Sequence, residues 1–145
     1  MKIIPYENNH LNACLKLFNS NEPTYFDESE RAPFEKYLKG EKYSYWVLMD
    51  EGNLLACGGF EIEKPGDARI VWLMVERSKQ GKGYGAALMQ HFERLIVDSK
   101  QFNKISLMTA QVVNKFYEKL GYKTLKFEPK YWCDRFDLYY MEKGI

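Results

Sequence analysis

The sequence has little of what would point to a membrane, a secreted protein or a nucleic acid. Its apolar runs are short, and Pro5 and charged residues soon interrupt the stretch that follows Met1. We therefore expect neither a signal peptide nor a membrane-spanning helix. The formal net charge is only +1, from 21 basic and 20 acidic residues, and no long basic run occurs. Nucleic-acid binding is not expected, because such proteins carry a basic patch or stripe.

Cysteine and histidine are also scarce. The three cysteines, Cys14, Cys57 and Cys133, form an odd number without metal-ligand spacing. This pattern favours reduced thiols and a cytoplasmic location, with no metal site. Neither of the two histidines lies near Cys133 in the sequence, so a cysteine nucleophile is not expected.

The length and composition are those of one ordinary domain. A chain of 145 residues with 46% hydrophobic residues can bury a single core, and no repeat or low-complexity linker divides it. We therefore predict one domain over residues 1–145. Aromatic residues make up 16% and crowd at residues 43–46 and 131–140, which is typical of strands or of a pocket lined by rings.

Hydrophobic periodicity predicts the order βααβββαβαββ. The predicted strands cover residues 2–6, 44–50, 54–63, 68–76, 104–109, 122–127 and 136–142. The predicted helices begin at Asn8 or Asn9, near Pro33, at Gly83 and at Val112. Strands joined by a crossover helix are parallel and hairpin strands are antiparallel. The fold class is therefore α/β, or α+β, with a central mixed twisted sheet flanked by helices.

The segment after the strand at residues 71–75 has the composition of an anion site. A polar loop leads into six residues that open a helix: Gln80, Gly81, Lys82, Gly83, Tyr84 and Gly85. Glycines let a ligand approach the main chain, and a helix start offers free N–H groups and a positive dipole end. A pyrophosphate fits such a site, with Lys82 as an added charge. The spacing departs from dinucleotide and P-loop motifs, and a plain helix start remains the alternative.

Two segments resemble the GCN5-related N-acetyltransferases. Residues 80–85 resemble the Arg/Gln-x-x-Gly-x-Gly/Ala signature of that family. Residues 110–122 resemble its Asn-x-x-Ala-x-x-Phe-Tyr-x-x-x-Gly-Phe segment, with Phe116, Tyr117 and Gly121 in register. Ala110 stands where the family often has Asn, so the CoA contact of that Asn is missing or is supplied by Asn114.

The resemblance implies a fold, a co-substrate and site residues. It implies the acyl-CoA N-acyltransferase fold, with acetyl-CoA as co-substrate and direct attack by an amine in a ternary complex. The backbone of Met74 and Val75 would contact pantetheine, and residues 80–85 would hold the pyrophosphate. Tyr117 would protonate the leaving thiolate; the alternative is a core aromatic with a bonded hydroxyl.

The general base and the acceptor are less constrained. A lysine-like amine is mostly protonated at neutral pH, so a group must take its proton. Glu61 is our candidate, while a solvated strand-end carboxylate, a water chain and Glu76 remain alternatives. Residues 20–31 and 131–137 combine carboxylates with rings, which suits a cationic amine; solvated loop acids and rings packed on the sheet are the equal alternative. The acceptor is a small molecule or a peptide. A non-catalytic acyl-CoA sensor or a dimeric interaction module is the alternative function, and a homodimer is compatible with each.

Overall fold

The computed structural model describes residues 1–145 and has seven strands and four helices in the predicted order. The strands are β1 (Lys2–Pro5), β2 (Ser44–Asp50), β3 (Asn53–Lys64), β4 (Asp67–Val75), β5 (Lys104–Thr109), β6 (Lys123–Cys133) and β7 (Phe136–Gly144). The helices are α1 (Leu11–Asn21), α2 (Arg31–Lys39), α3 (Tyr84–Ser99) and α4 (Asn114–Lys119). Short 3-10 turns precede α1, α2 and α3. The predicted element order is confirmed.

All seven strands form one sheet in the order β1-β2-β3-β4-β5-β7-β6. Only β4 and β5 are parallel, because α3 carries the chain across the sheet between them. The other neighbours are antiparallel. The predicted mixed sheet flanked by helices is therefore confirmed.

Helices cover both faces of this sheet. Adjacent strand residues point to opposite faces, and Val47 packs with α1 and α2 whereas Leu48 packs with α3. The first core includes Phe18 of α1 and Phe34 of α2. The second includes Phe92 of α3, at the middle of its buried stripe. No helix is both long and apolar enough to cross a membrane.

Strands β4 and β5 pair over only three residues each. Asp67–Arg69 lies opposite Lys104–Ser106, and beyond this point the two strands separate. Trp72 of β4 has a φ of +47°, and the pairing with β3 shifts register between Cys57 and Gly59. Such a bulge bends and twists a strand. The far half of β4 therefore presents main chain that β5 does not pair.

The last hairpin differs from the sequence prediction. The predicted strand ended at residue 127, but β6 continues through Pro129 to Cys133. Proline lacks an N–H donor, which an outermost strand tolerates because one of its edges is unpaired. The register shift in this part of the hairpin and the φ of +54° at Lys130 show that the strand is bulged there.

Candidate active site

The gap between β4 and β5 opens into a cavity of about 660 Å³. One wall is the main chain of β4 and the loop before α3. Another is formed by α4 together with the first residues after β5, and a third by the α1–α2 connection and the β6–β7 hairpin. The cavity therefore joins the predicted phosphate loop to the two segments that were predicted to contact the acceptor.

The glycines of the loop before α3 have two different environments. Gly81 and Gly83 have φ values of +79° and +88°, and a Cβ added at either would meet no atom within 4 Å. Their main chain is thus open to a ligand, in a conformation that other residues rarely adopt. A Cβ at Gly85 would lie 3.2 Å from the Phe116 ring, so Gly85 allows α3 to pack against α4.

The side chain of Gln80 turns toward α1. Its Nε2 donates to Oδ1 of Asn21 at 2.7 Å, and Nδ2 of Asn21 donates to the carbonyl of Val75 at 2.9 Å. Asn21 is 1% exposed. The Gln80 side chain therefore fixes the loop to the end of α1, which leaves the loop main chain to face the cavity. No sequence pattern singled out Asn21.

The backbone of β4 faces the cleft at Val75. The N–H of Glu76 donates to the carbonyl of Leu55 on β3 at 2.8 Å. Backbone groups of successive strand residues point in opposite directions, so those of Val75 point away from β3. Met74 lies opposite Cys57, and its backbone is directed to β3 while its buried side chain lines the cavity.

Tyr84 and Lys82 have different positions around the loop. The Tyr84 hydroxyl donates to Oδ2 of Asp50 at 2.9 Å and so ties the start of α3 to β2. This bond is the main cause that raises the pKa of Tyr84. The Lys82 side chain is exposed and does not line the cavity, whereas Lys79 does.

Of the two predicted residues on α4, only Tyr117 lines the cavity. Tyr117 is 7% exposed, and its hydroxyl makes no hydrogen bond to another protein group. Burial raises the pKa of Tyr117 well above its usual value, which keeps the hydroxyl protonated at neutral pH. Asn114 lies outside the cavity lining, with its Nδ2 3.4 Å from Oε1 of Glu118.

Glu61 lies outside the cavity lining on β3. Its Oε1 accepts a hydrogen bond from the Tyr37 hydroxyl at 2.7 Å, and its Oε2 accepts from the N–H of Tyr43 at 3.2 Å. Both carboxylate oxygens are therefore engaged by α2 and the chain that follows it. This position gives no geometric support to Glu61 as the general base.

The two segments predicted to contact the acceptor are joined to each other by Arg135, which lies outside the cavity lining. Nη1 of Arg135 donates to the carbonyl of Pro23 at 2.7 Å, and Nη2 donates to Oδ1 of Asp27 at 2.7 Å. Hydrogen bonds from Ser29, and then from Arg135, hold the pKa of Asp27 down to about 2. Behind this contact the cavity is lined by the rings of Tyr25, Phe26, Trp72, Trp132 and Phe136.

Besides Lys79, two charged residues line the cavity, and of these only Arg69 was not singled out by the sequence. Glu30 belongs to a predicted acceptor segment, and its Oε2 accepts from the N–H of Asp27 at 2.9 Å. Burial raises the pKa of Glu30, against the opposing effect of that hydrogen bond. Arg69 lies on β4. A lone arginine among the apolar residues 68–75 of a central strand is the signal that could have identified it.

The split sheet, the glycine loop and Tyr117 define the class of acyl-group transferases that the sequence resemblance implied. The model of the acetyltransferase (GNAT) family matches residues 11–122. The chain therefore belongs to the GNAT family of acetyltransferases, whose co-substrate is acetyl-CoA. Comparison with curated protein sequences gives no match.

Solved structures of this family share the fold over nearly the whole chain. An aminoglycoside 6'-N-acetyltransferase complexed with coenzyme A is 18% identical, with a TM-score of 0.81 over 99% of this chain and 97% of that one. Ard1 from Thermoplasma volcanium is 18% identical, with a TM-score of 0.84 over 99% and 97%. A ribosomal-protein-alanine N-acetyltransferase from Escherichia coli is 19% identical, with a TM-score of 0.82 over 99% and 93%.

Proposed function

We propose that the protein is a single-domain N-acetyltransferase that moves an acetyl group from acetyl-CoA to a primary amine of a small molecule or peptide. The observation that carries the proposal is the one cavity between β4 and β5. This cavity joins the open main chain at Gly81 and Gly83 to the hydroxyl of Tyr117 and to the acceptor segments. Both substrates can therefore reach one another in a ternary complex, as direct attack requires.

The CoA end of the cavity combines backbone donors with positive charge. The loop main chain and the first N–H groups of α3 suit a pyrophosphate; Lys79 lines the cavity beside it, and the exposed Lys82 is free to reach it from outside the lining. The N–H of Val75 faces the cleft and suits a pantetheine amide. Asn114, outside the cavity lining, and Glu61 take no part in this proposal.

The reaction is an attack of the neutral amine nitrogen on the thioester carbonyl carbon. A C–N bond forms, and the C–S bond breaks as the tetrahedral intermediate collapses. The proton of the amine leaves to water, and the CoA thiolate takes a proton from the hydroxyl of Tyr117, which solvent then restores. Tyr117 suits this role because it lines the cavity, remains protonated at neutral pH and makes no hydrogen bond to the protein.

The acceptor end of the cavity suits a cationic amine. Glu30 supplies a carboxylate, and the rings around it supply faces that attract a cation. The ion pair between Arg135 and Asp27 joins the two segments that supply these groups. The acceptor would bind here as an ammonium ion, and after it loses a proton its neutral amine would attack the thioester in the same cavity.

Calorimetry and thiol release test this proposal together. Acetyl-CoA should bind the purified protein, and a panel of primary amines should cause release of free CoA thiol. Tyr117→Phe should lower kcat about 100-fold or more while the Kd for acetyl-CoA stays unchanged. Tyr43→Phe is the matched control, because Tyr43 is 48% exposed and lies outside the cavity lining.

Three outcomes would contradict parts of the proposal. Absence of acetyl-CoA binding removes its basis. Binding without thiol release for any amine indicates an acyl-CoA sensor instead of an enzyme. Full turnover by Tyr117→Phe shows that another group, or water, protonates the thiolate.

A further inference from the structure

Arg69 is a charged residue of the cavity that neither CoA binding nor thiolate protonation requires. It lies on β4 at the last position paired with β5, where the two strands begin to separate. Only 16% of its side chain is exposed, and the residue lines the cavity. A cation in such a place is costly unless it has hydrogen-bonding partners.

A buried chain of hydrogen bonds orients the Arg69 side chain. Its Nε donates to Oγ of Ser106 at 2.9 Å, and that hydroxyl donates to Oδ1 of Asp67 at 2.7 Å. Ser106 and Asp67 are 0% and 1% exposed. Nη1 lies 3.3 Å from Sδ of Met108, a weak acceptor. The protein therefore fixes the direction of the guanidinium mainly through Nε, with the weak contact of Nη1 as a second support.

The rest of the guanidinium has weaker partners: its Cζ lies 5.6 Å from the centroid of the Tyr140 ring, a cation–π contact that uses none of the N–H donors. Nη2 makes no hydrogen bond to a protein group. Glu63 forms a long ion pair with Arg69: its Oε2 lies 3.7 Å from Nη1, too far for a hydrogen bond, and its side chain is 49% exposed. A guanidinium presents donors in a planar fork that matches a carboxylate. The orientation and the spare donors together indicate a site for an anion.

The phosphates of CoA are too distant to be this anion. Arg69 precedes Val75 by six positions on β4, which corresponds to about 20 Å along the strand. The phosphate loop lies beyond Val75, at the opposite end of the cleft. The anion at Arg69 must therefore belong to the reacting end of the cavity, where the acyl group and the acceptor meet.

We propose that Arg69 binds a carboxylate that one of the two substrates carries. The inference rests on the proposed acetyltransferase function and extends it to the substrate class. One source is an acceptor of the amino acid type, with its ammonium near Glu30 and its carboxylate on Arg69. The other source is a dicarboxylic acyl group, such as succinyl, whose distal carboxylate would reach Arg69. The two sources share the same chemistry at this residue.

Paired substrates distinguish the sources in one set of kinetic assays. The acceptor arm compares α-, β- and γ-amino acids with their amides, using acetyl-CoA. The acyl arm compares succinyl-CoA with acetyl-CoA, using an amine that has no carboxylate. Each pair is measured with the parent, with Arg69→Gln and with Arg94→Gln. The last variant is the control, because Arg94 is an exposed arginine on α3, outside the cavity lining.

The parent should prefer the carboxylate-bearing member in one arm. Arg69→Gln should lower kcat/KM for that member roughly tenfold to 100-fold and for its uncharged counterpart less than threefold. The arm that shows this selective loss identifies the source. A parent without a carboxylate preference in either arm overturns the proposal, as does an equal loss for both members of every pair. A parent that transfers no acyl group at all refutes the proposed function instead.

Glu63→Gln keeps the proposal testable if Arg69→Gln does not fold. Glu63 competes weakly for the guanidinium from the half-exposed end of its strand, and its removal should not disturb the core. The variant should raise kcat/KM for the preferred carboxylate substrate about twofold, with no change for its uncharged counterpart. An unchanged preference in this variant would overturn the proposal.

Discussion

Gly83 is the residue at which ligand access can be separated from backbone strain. Its φ of +88° disfavours any side chain, but a Cβ would have open space around it. Gly52, in the turn between β2 and β3, has a φ of +80° and equally open surroundings, and it lies outside the cavity lining. The two glycines thus share their local conformation and differ in their distance from the proposed phosphate site.

We predict that Gly83→Ala and Gly52→Ala lose similar stability and differ in CoA affinity. Each substitution should cost about 1 to 2 kcal/mol, because each forces alanine into a left-handed conformation. Only Gly83→Ala should weaken acetyl-CoA binding, by roughly tenfold or more, since its methyl group enters the ligand's path. Thermal unfolding and calorimetric titration measure the two effects. Equal affinities in the two variants would place the pyrophosphate elsewhere.

At the residue scale, the sequence could predict a position at the cavity where one local motif decides that position, and the roles of these residues stay predictions. The glycine loop and Tyr117 both line the cavity. The start of α3 decides the position of the loop, and β5 together with the start of α4 decides that of Tyr117. Glu61 was chosen by strand alternation alone. Alternation predicts the face of the sheet but not the neighbouring side chain on that face. Here the Tyr37 hydroxyl donates a hydrogen bond to the Glu61 carboxylate.

At the scale of elements, β4 depends on α1 for its position at the cleft. Asn21 ends α1, and its Nδ2 donates to two backbone carbonyls, that of Leu17 at 3.0 Å and that of Val75 at 2.9 Å. Its Oδ1 accepts from Gln80. The buried amide of Asn21 thus joins the end of α1, the end of β4 and the loop before α3. Such side-chain bonds between distant segments leave no periodic trace in a sequence.

We predict that Asn21→Ala raises the KM for acetyl-CoA and lowers the stability of the fold. The change leaves the Val75 carbonyl and the Gln80 amide without this partner, which should destabilise the fold by about 1 to 3 kcal/mol. Because the loop loses its anchor, the KM for acetyl-CoA should rise roughly tenfold. Asn12→Ala, at an exposed position of α1, is the matched control and should change neither quantity. A stability loss with an unchanged KM would mean that Asn21 supports the fold alone.

The elements themselves were largely predictable, and the exceptions have physical causes. Strands β2 and β5 have the predicted bounds because turn residues flank both. β6 was predicted too short, since Pro129 is a strand breaker in general but is tolerated at a sheet edge. The insertion of β7 between β5 and β6 depends on pairing between segments that are distant in sequence. No local pattern in the sequence reports it.

At the scale of the whole molecule, residues of both hydrophobic cores contribute to the lining of the cavity. The cavity lining includes Glu30, whose pKa is raised mainly by burial. A carboxylate with a raised pKa makes the folded state less stable once it ionises. The penalty is absent below the ordinary glutamate pKa, where the group is protonated in both states. It develops as the pH rises through the higher pKa of the folded state.

We predict that Glu30→Gln raises the melting temperature at pH 7 and lowers kcat/KM for a cationic acceptor. Glutamine removes the buried charge, and it keeps a side-chain oxygen that can accept from the Asp27 N–H. The gain in stability should disappear near pH 3.

Glu35→Gln is a control of opposite sign, because Lys39 holds the pKa of the Glu35 carboxyl below its usual value. That variant should lose stability at pH 7 and match the parent in acid. Loss of stability at pH 7 in Glu30→Gln would show that the carboxylate serves the fold, and it would remove the support for Glu30 as the counter-charge of the acceptor.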